Sequence, residues 1–458
     1  MLSILCEALD CQGKMVNGPS YSSPLLRGLS RVFLSTQRRH FEQIKVAIPV
    51  IIKVLKDTLS ESEGELEDFF DRPITIAESI HGVCIKLEGR GNERLCSLLG
   101  LYVLQILVFL SLSIKYELAG YIPLVERLAR FLPYCGLSYL GLITGSDVEA
   151  ITNIVAEGCT DNEYYYMNCL SDVKLGASLA VIWGKVSDEI PQAAQADLTV
   201  VEGELQTNQI KRWEAVGMLK QILSSANLPW ELRTHAIDFL LCITSGNILL
   251  KCSNEIIDCS IYTPSLFAAL QAITVVIIYA PDTAVRKKAF DALKRILADI
   301  PTLQRFDVLK ALVRNCESSS MIAILLDLVR NEMHNGSSQR ALVQKDENPE
   351  TRNCACTSMH VLELVVSVLR PSKGGPPSLP EEGDAVLASI NLSYLFWLPM
   401  TVLLRSTAFS YFHMDLPICF LDFILDPMHF RFTFLNVMTV RTINAFRPKR
   451  HAWSKKKK

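Results

Sequence analysis

The chain has 458 residues, of which 49% are hydrophobic and 21% charged, and a formal net charge of −2. That composition excludes a disordered or fibrous polypeptide, and the length suits two or more domains or one extended repeat array. The charge is unevenly placed: from Ser393 onward ten Lys/Arg face three Asp/Glu, leaving 36 against 45 in residues 1–392. An acidic body therefore precedes a basic tail, and the body offers no basic face for nucleic acid.

At the start, MLSILCEALDCQGK places Glu7 and Asp10 where a signal peptide needs its apolar core. Residues 1–21 are expected to be poorly ordered. The fourteen cysteines are scattered singly from Cys6 to Cys419. This is no short disulfide framework, and it points to a reducing compartment.

Residues 22–190 read as N-terminal helical repeats. Apolar spacing predicts helix pairs at Ser23–Gln37 with Phe41–Leu59, Ile74–Leu87 with Arg94–Ser113, and Glu117–Leu132 with Val148–Glu157. Pro49 is expected to kink its helix. GRGNER at 89–94 has two glycines of a nucleotide fingerprint but no third, no strand before it and no Lys-Ser/Thr, so it reads as a surface turn. The polar stretch SDEIPQAAQADLTVVEGELQ at 187–206 predicts a break, with a linker over 191–206.

Residues 207–392 read as C-terminal HEAT-like repeats. Ala215, Met218, Leu219, Ile222 and Leu223 follow one helix face. A turn at Asn227–Pro229 separates them from a second face of Leu232, Ala236, Phe239, Leu240 and Ile243. Val285, Ala289 and Leu293 recur 53 residues later, and in both copies an arginine, Arg233 or Arg286, follows on the polar side after a proline-led turn. Asp282 is placed to cap its helix. Further helices are expected at Leu303–Arg314, Met321–Met333 and Thr357–Leu369. The fold class is all-α: a HEAT-like α-solenoid of stacked helical hairpins.

Three uncharged runs, Cys96–Ile114, Tyr262–Pro281 and Ala385–Leu404, approach the ~20 residues that span a bilayer. Gln105, Gln271 and the amphipathic helices alongside favour protein-buried helices for the first two. The third contains Pro399 and leaves membrane association open.

Chemistry is sparse. Cys354, Cys356 and His360 form a C-x-C-x₃-H cluster, but a structural zinc needs a fourth ligand and usually C-x₂-C spacing. His235 lies in a repeat helix, and His40 follows Arg38-Arg39 at a helix start, where core packing or capping accounts for them. Tyr164–Asn168, YYYMN, could stack bases but has no basic face beside it. No catalytic, cofactor-binding or metal residue is assigned, no cofactor is expected, and the partner-contact residues are unknown.

Three stretches, STQRRHFEQIKVAIPVIIKVLK (35–56), LGLYVLQILVFLS (99–111) and LRPSKGGPPSLPEEGDAVLASINL (369–392), resemble the glomulin family. The resemblance covers residues 22–392 or so. It implies a HEAT-like solenoid that binds the RING subunit of cullin–RING ubiquitin ligases and covers the surface that recruits the ubiquitin-conjugating enzyme. Ubiquitin transfer is then restrained by occlusion, without a catalytic residue. It further implies a role in plant root development and hormone signalling, a cytoplasmic location extending to the nucleus, and a binding surface in the C-terminal repeats. No individual contact residue carries over.

Family members continue past Asn391-Leu392 with further helices and extend further at the N-terminus. Here Ser393–Lys458 holds 13 of 37 aromatic residues and four prolines without a steady helical period. It is expected to be a divergent, poorly folded basic tail, ending in RPKRHAWSKKKK. A general α-solenoid scaffold and a membrane-associated helical protein are the alternative function classes.

Overall fold

The computed structural model describes residues 1–12, 18–61, 66–115, 117–157, 169–245, 259–343, 361, 363–369 and 381–393. The chain divides into two units, Met1–Leu392 and Ser393–Lys458. Of the second, only Ser393 is described, so the expected tail lies outside the described residues.

Among the described residues every regular element is a helix. The first five are α1 (Leu2–Gln12), α2 (Gly18–Ser35), α3 (His40–Glu61), α4 (Leu66–Cys84) and α5 (Arg90–Leu112). After a 3₁₀ turn at Leu118–Tyr121 come four shorter helices: α6 (Ile122–Ala129), α7 (Phe131–Tyr134), α8 (Tyr139–Thr144) and α9 (Ser146–Ala156). Next are α10 (Val173–Val186), α11 (Glu189–Ala193), α12 (Leu198–Thr207), α13 (Gln209–Ser224) and α14 (Trp230–Ile243). The series closes with α15 (Thr263–Tyr279), α16 (Thr283–Asp299), α17 (Thr302–Arg314) and α18 (Ser319–Val343), followed by helical turns at 363–369 and 383–393.

The packing follows a two-layer register. One row runs α3, α5, α10, α13, α15 and α17, each helix against the next. The other begins with α2, α4 and α6 and resumes with α14 against α16. Each helix thus buries one face against its hairpin partner and its flanks against neighbouring hairpins, which is the arrangement of an all-α solenoid.

Helix α5 shows why the first uncharged run is so apolar. All of its residues from Ser97 to Ser111 are buried. It is the one described helix long and apolar enough to cross a membrane, and 89% of its apolar window is buried inside the protein. Ser111 bonds internally: Trp183 Nε1 donates to Ser111 Oγ at 2.9 Å and Ser111 Oγ donates to Leu107 O at 2.8 Å. Tyr102, fully buried, donates its hydroxyl to Pro73 O at 3.2 Å, joining α5 to α4. Gly176 sets the crossing with α10, because a Cβ there would lie 2.2 Å from Leu104 O.

Three expectations are corrected. The N-terminus is ordered from Leu2 to Gln12 as α1, with Leu9 and Cys6 buried against α2 and α3 and Asp10 paired with Lys53 at 2.5 Å. The residues assigned to a linker over 191–206 fold into the end of α11 and into α12, burying Pro191, Ala194, Val201 and Leu205. Asp197 makes this possible by accepting from Thr199 N at 2.9 Å at the helix start. Its short, mostly polar helices carry too few apolar positions to show a period. Lastly, Glu117–Leu132 is broken into short helices, and the pairing expected with Val148–Glu157 is interrupted by α8. Gly136 and Gly145 permit the break, with φ of +69° and +88°.

Pro49 sits inside α3, which continues through it to Glu61.

Candidate interaction surface

The positions that sequence reading tested for chemistry resolve into structure. GRGNER begins α5: Gly89 at φ +66° turns the chain, Arg90 pairs with Glu157 at 2.6 Å, and the Arg94 guanidinium stacks 3.9 Å from the centre of the Phe41 ring. His40 Nε2 bonds Thr36 O at 2.9 Å across the turn between α2 and α3. His235 is half-buried in α14, where burial pushes its pKa down. Cys354, Cys356, His360 and Tyr164–Asn168 lie outside the described residues. Among the described residues no three His, Cys, Asp or Glu side chains are grouped to hold a metal.

The C-terminal repeats carry the feature with most to offer a partner. Helix α15 and its flanks, Tyr262 to Pro281, contain no charged residue. Its inner face, including Leu266, Leu270, Ile273 and Val276, is buried against α13, α16 and α17. Its outer face is also apolar: Val275 is 41% exposed and Tyr279 69%, on successive turns. Pro264 is exposed and Phe267, Ala268 and Ile278 are half-buried along the same helix. Gln271, half-buried one turn before Val275, is the polar member of that face; a helix uncharged all round with large apolar side chains exposed leaves a stripe for another protein to cover.

The next helix supplies charge. In α16, Arg286, Lys287, Lys288, Lys294 and Arg295 are all exposed, and the apolar face of Ala289, Ala292, Leu293 and Ile296 is buried. Asp282 caps it by accepting from Ala284 N at 2.9 Å. Lys288 reaches Asp238 of α14 at 2.8 Å, and Arg295 donates to Leu241 O at 2.9 Å.

The paired arginines of the repeat differ. Arg286 is exposed, near Pro281 O. Arg233 is only 5% exposed, stacks 4.4 Å from the centre of the Trp230 ring and donates to Ser225 O. The expected polar-side position thus holds for Arg286 alone. Trp230, which has no counterpart in the second copy, draws Arg233 down onto its ring.

The platform beneath is tied by ion pairs. Arg212 at the start of α13 grips Asp299 at the end of α16 through Nε and Nη2, at 2.9 and 2.8 Å. Farther on, Arg305 of α17 pairs with Glu332 of α18 at 2.7 Å, and Lys310 and Arg314 both reach Glu363, at 2.7 and 3.1 Å. Ser320 Oγ donates to Asp384 at 2.7 Å, joining residues 383–393 to α18.

Two rows of packed helices, one of them carrying Val275 and Tyr279 exposed on an uncharged helix, define an all-α solenoid. A family model described as "Uncharacterised protein family, YAP/Alf4/glomulin" matches residues 249–409, which take in α15 to α18 and run past Leu392. The chain is also 50% identical over 392 residues to the Arabidopsis thaliana protein called "Aberrant root formation protein 4". That alignment covers 86% of this chain and 60% of the relative, so the chain spans less than two thirds of the relative's length. The chain is thus similar to the YAP/Alf4/glomulin family over its C-terminal helices and to that relative over most of its own length.

Proposed function

We propose that the chain is a non-enzymatic regulator that acts in root formation by binding the RING subunit of cullin–RING ubiquitin ligases. It covers the surface that recruits the ubiquitin-conjugating enzyme and so slows ubiquitin transfer. The observation that carries this reading is the uncharged outer face of α15, with Val275 and Tyr279 exposed, inside the segment matched to the family.

Occlusion needs breadth, rigidity and complementarity rather than a reactive group. The two-layer array supplies the first two. The exposed Val275 and Tyr279 suit the centre of an interface, in which an aromatic anchor such as Tyr279 contributes most. The cytoplasm and nucleus, where cullin–RING ligases work, are the proposed location.

The test is a pull-down of the full chain with a purified RING subunit, followed by a ubiquitin-chain assay with the assembled ligase. Binding together with slower chain growth supports the proposal. Binding to some other partner with chain growth unchanged would instead make the protein a general solenoid adaptor.

A further inference from the structure

Besides the Tyr279 phenol, the hydrogen-bonding side chains of α15 are Thr263, Ser265, Gln271 and Thr274. The three hydroxyls are spent inside the protein. Thr263 Oγ1 donates to Cys259 O at 2.9 Å, Ser265 Oγ donates to Tyr262 O at 2.9 Å, and Thr274 Oγ1 donates to Gln271 O at 2.7 Å. Gln271 differs from them. Its main-chain oxygen is used, but among the described residues its side-chain amide has no hydrogen-bond partner.

Helical spacing places that amide inside the stripe. Val275 and Tyr279 follow Gln271 at i+4 and i+8, and Ala268 and Pro264 precede it at i−3 and i−7, so all five share one face. The half-buried amide is open to solvent until a partner covers the face. It then needs new partners, because a primary amide carries two N–H donors and an acceptor oxygen. A purely apolar cover strips these groups of water and leaves them unpaired, which costs affinity; a cover that bonds them is selected. The main chain of an amphipathic helix cannot do so, since its N–H and C=O groups are already bonded within the helix. An extended segment can, because its main-chain donors and acceptors are free.

We propose that Gln271 is the specificity-determining residue of the α15 stripe, its side-chain amide hydrogen-bonding the main chain of an extended apolar segment of the partner. This role rests on the reading of the face as the RING-binding surface and adds the kind of segment that the face takes. The stripe runs about 22 Å from Pro264 to Tyr279, room for about seven residues of extended chain. Apolar side chains of that segment pack on Val275 and Tyr279 and supply affinity, while its backbone meets the Gln271 amide. Segments that are equally apolar but helical are rejected, because they leave the amide unpaired.

The test compares the affinity of a purified RING subunit for the full chain and for Gln271→Met, which keeps the unbranched length of the side chain and removes the amide. Binding should weaken about fivefold or more, although the stripe has become more apolar. A melt of the variant beside wild type checks that it folds. Amide hydrogen exchange of the RING subunit gives a second readout that stands without the variant: on binding the wild type, new protection should appear in a non-helical segment. That protection should fall in the Gln271→Met complex. A folded Gln271→Met chain that binds the RING subunit as tightly as wild type, or more tightly, overturns the role of Gln271 and leaves the proposed function standing. Protection confined to a helix of the RING subunit does the same. A wild-type chain that does not bind the RING subunit overturns both.

Discussion

Arg212 and Asp299 stand 87 residues apart in sequence and meet through two hydrogen bonds of 2.8 and 2.9 Å. Asp299 also accepts from Trp213 Nε1 at 3.0 Å, and Arg212 donates to Leu205 O and Gln206 O at the end of α12. One carboxylate and one guanidinium therefore pin α12, α13 and α16 together beneath the α15 stripe. Replacing Asp299 with Ala leaves a guanidinium 11% exposed without its counter-charge. A fully buried pair broken this way costs about 3–5 kcal/mol; partial exposure brings the expected loss to about 2–4 kcal/mol. Urea unfolding of the full chain measures it, and a loss under about 0.5 kcal/mol would show that the clamp is ornamental.

The same substitution should have opposite signs at two glycines. At Gly176→Ala the new methyl would lie 2.2 Å from Leu104 O, a backbone atom that moves only if α5 and α10 separate. Overpacking predicts a loss of about 1–3 kcal/mol or more. Gly203, in α12, has nothing within 4 Å of a Cβ, so Gly203→Ala should stabilise by about 0.4–1 kcal/mol through the unfolded chain. Thermal melts of the two variants beside wild type decide both.

His81 predicts a pH dependence. It sits edge-on to Phe131 and Tyr134, with ring centres 5.6 and 4.2 Å away, and burial pushes its pKa below the usual 6.5. The unfolded chain therefore binds a proton more readily than the folded one. The stability from the neutral imidazole is fully present above about pH 6.5 and is lost as pH falls through the lowered folded value. Denaturant midpoints should decline from pH 7 to pH 5, and His81→Phe should flatten that decline. His235, also lowered by burial, keeps some slope in the variant. An unchanged slope would remove His81 from the account.

How much of this was legible beforehand depends on the residue. The hairpin of α13 and α14 was, because Ala215, Leu219, Ile222, Ala236 and Leu240 recur at helical spacing and all are buried. The burial of α5 was inferred correctly from Gln105, which is 1% exposed. Helix α10 was not singled out, although it lies in the inner row. It is buried on nearly every side from Gly176 to Gly184, so it carries no amphipathic period to find. The short helices α8, α11 and α12 were missed because their caps, Ser138 and Asp197, look like ordinary loop residues until their hydrogen bonds are seen.

The candidate surface was half legible. The absence of charge from Tyr262 to Pro281 was plain, and it read as complete burial. Only packing shows that Val275 and Tyr279 face outward while Ile273 and Val276 face in.

The measurement closest to the central claim is the affinity of a purified cullin–RING RING subunit for the full chain, compared with its Val275→Lys, Tyr279→Lys double variant. Both substitutions fall on exposed positions, so helicity and melting temperature should be preserved, which circular dichroism verifies in the same samples. The account predicts that the wild type binds and slows ubiquitin-chain growth, and that the double variant binds at least about tenfold more weakly, a difference of ~1.4 kcal/mol. A wild-type chain that fails to bind the RING subunit, or a folded double variant that binds it equally well, would contradict it.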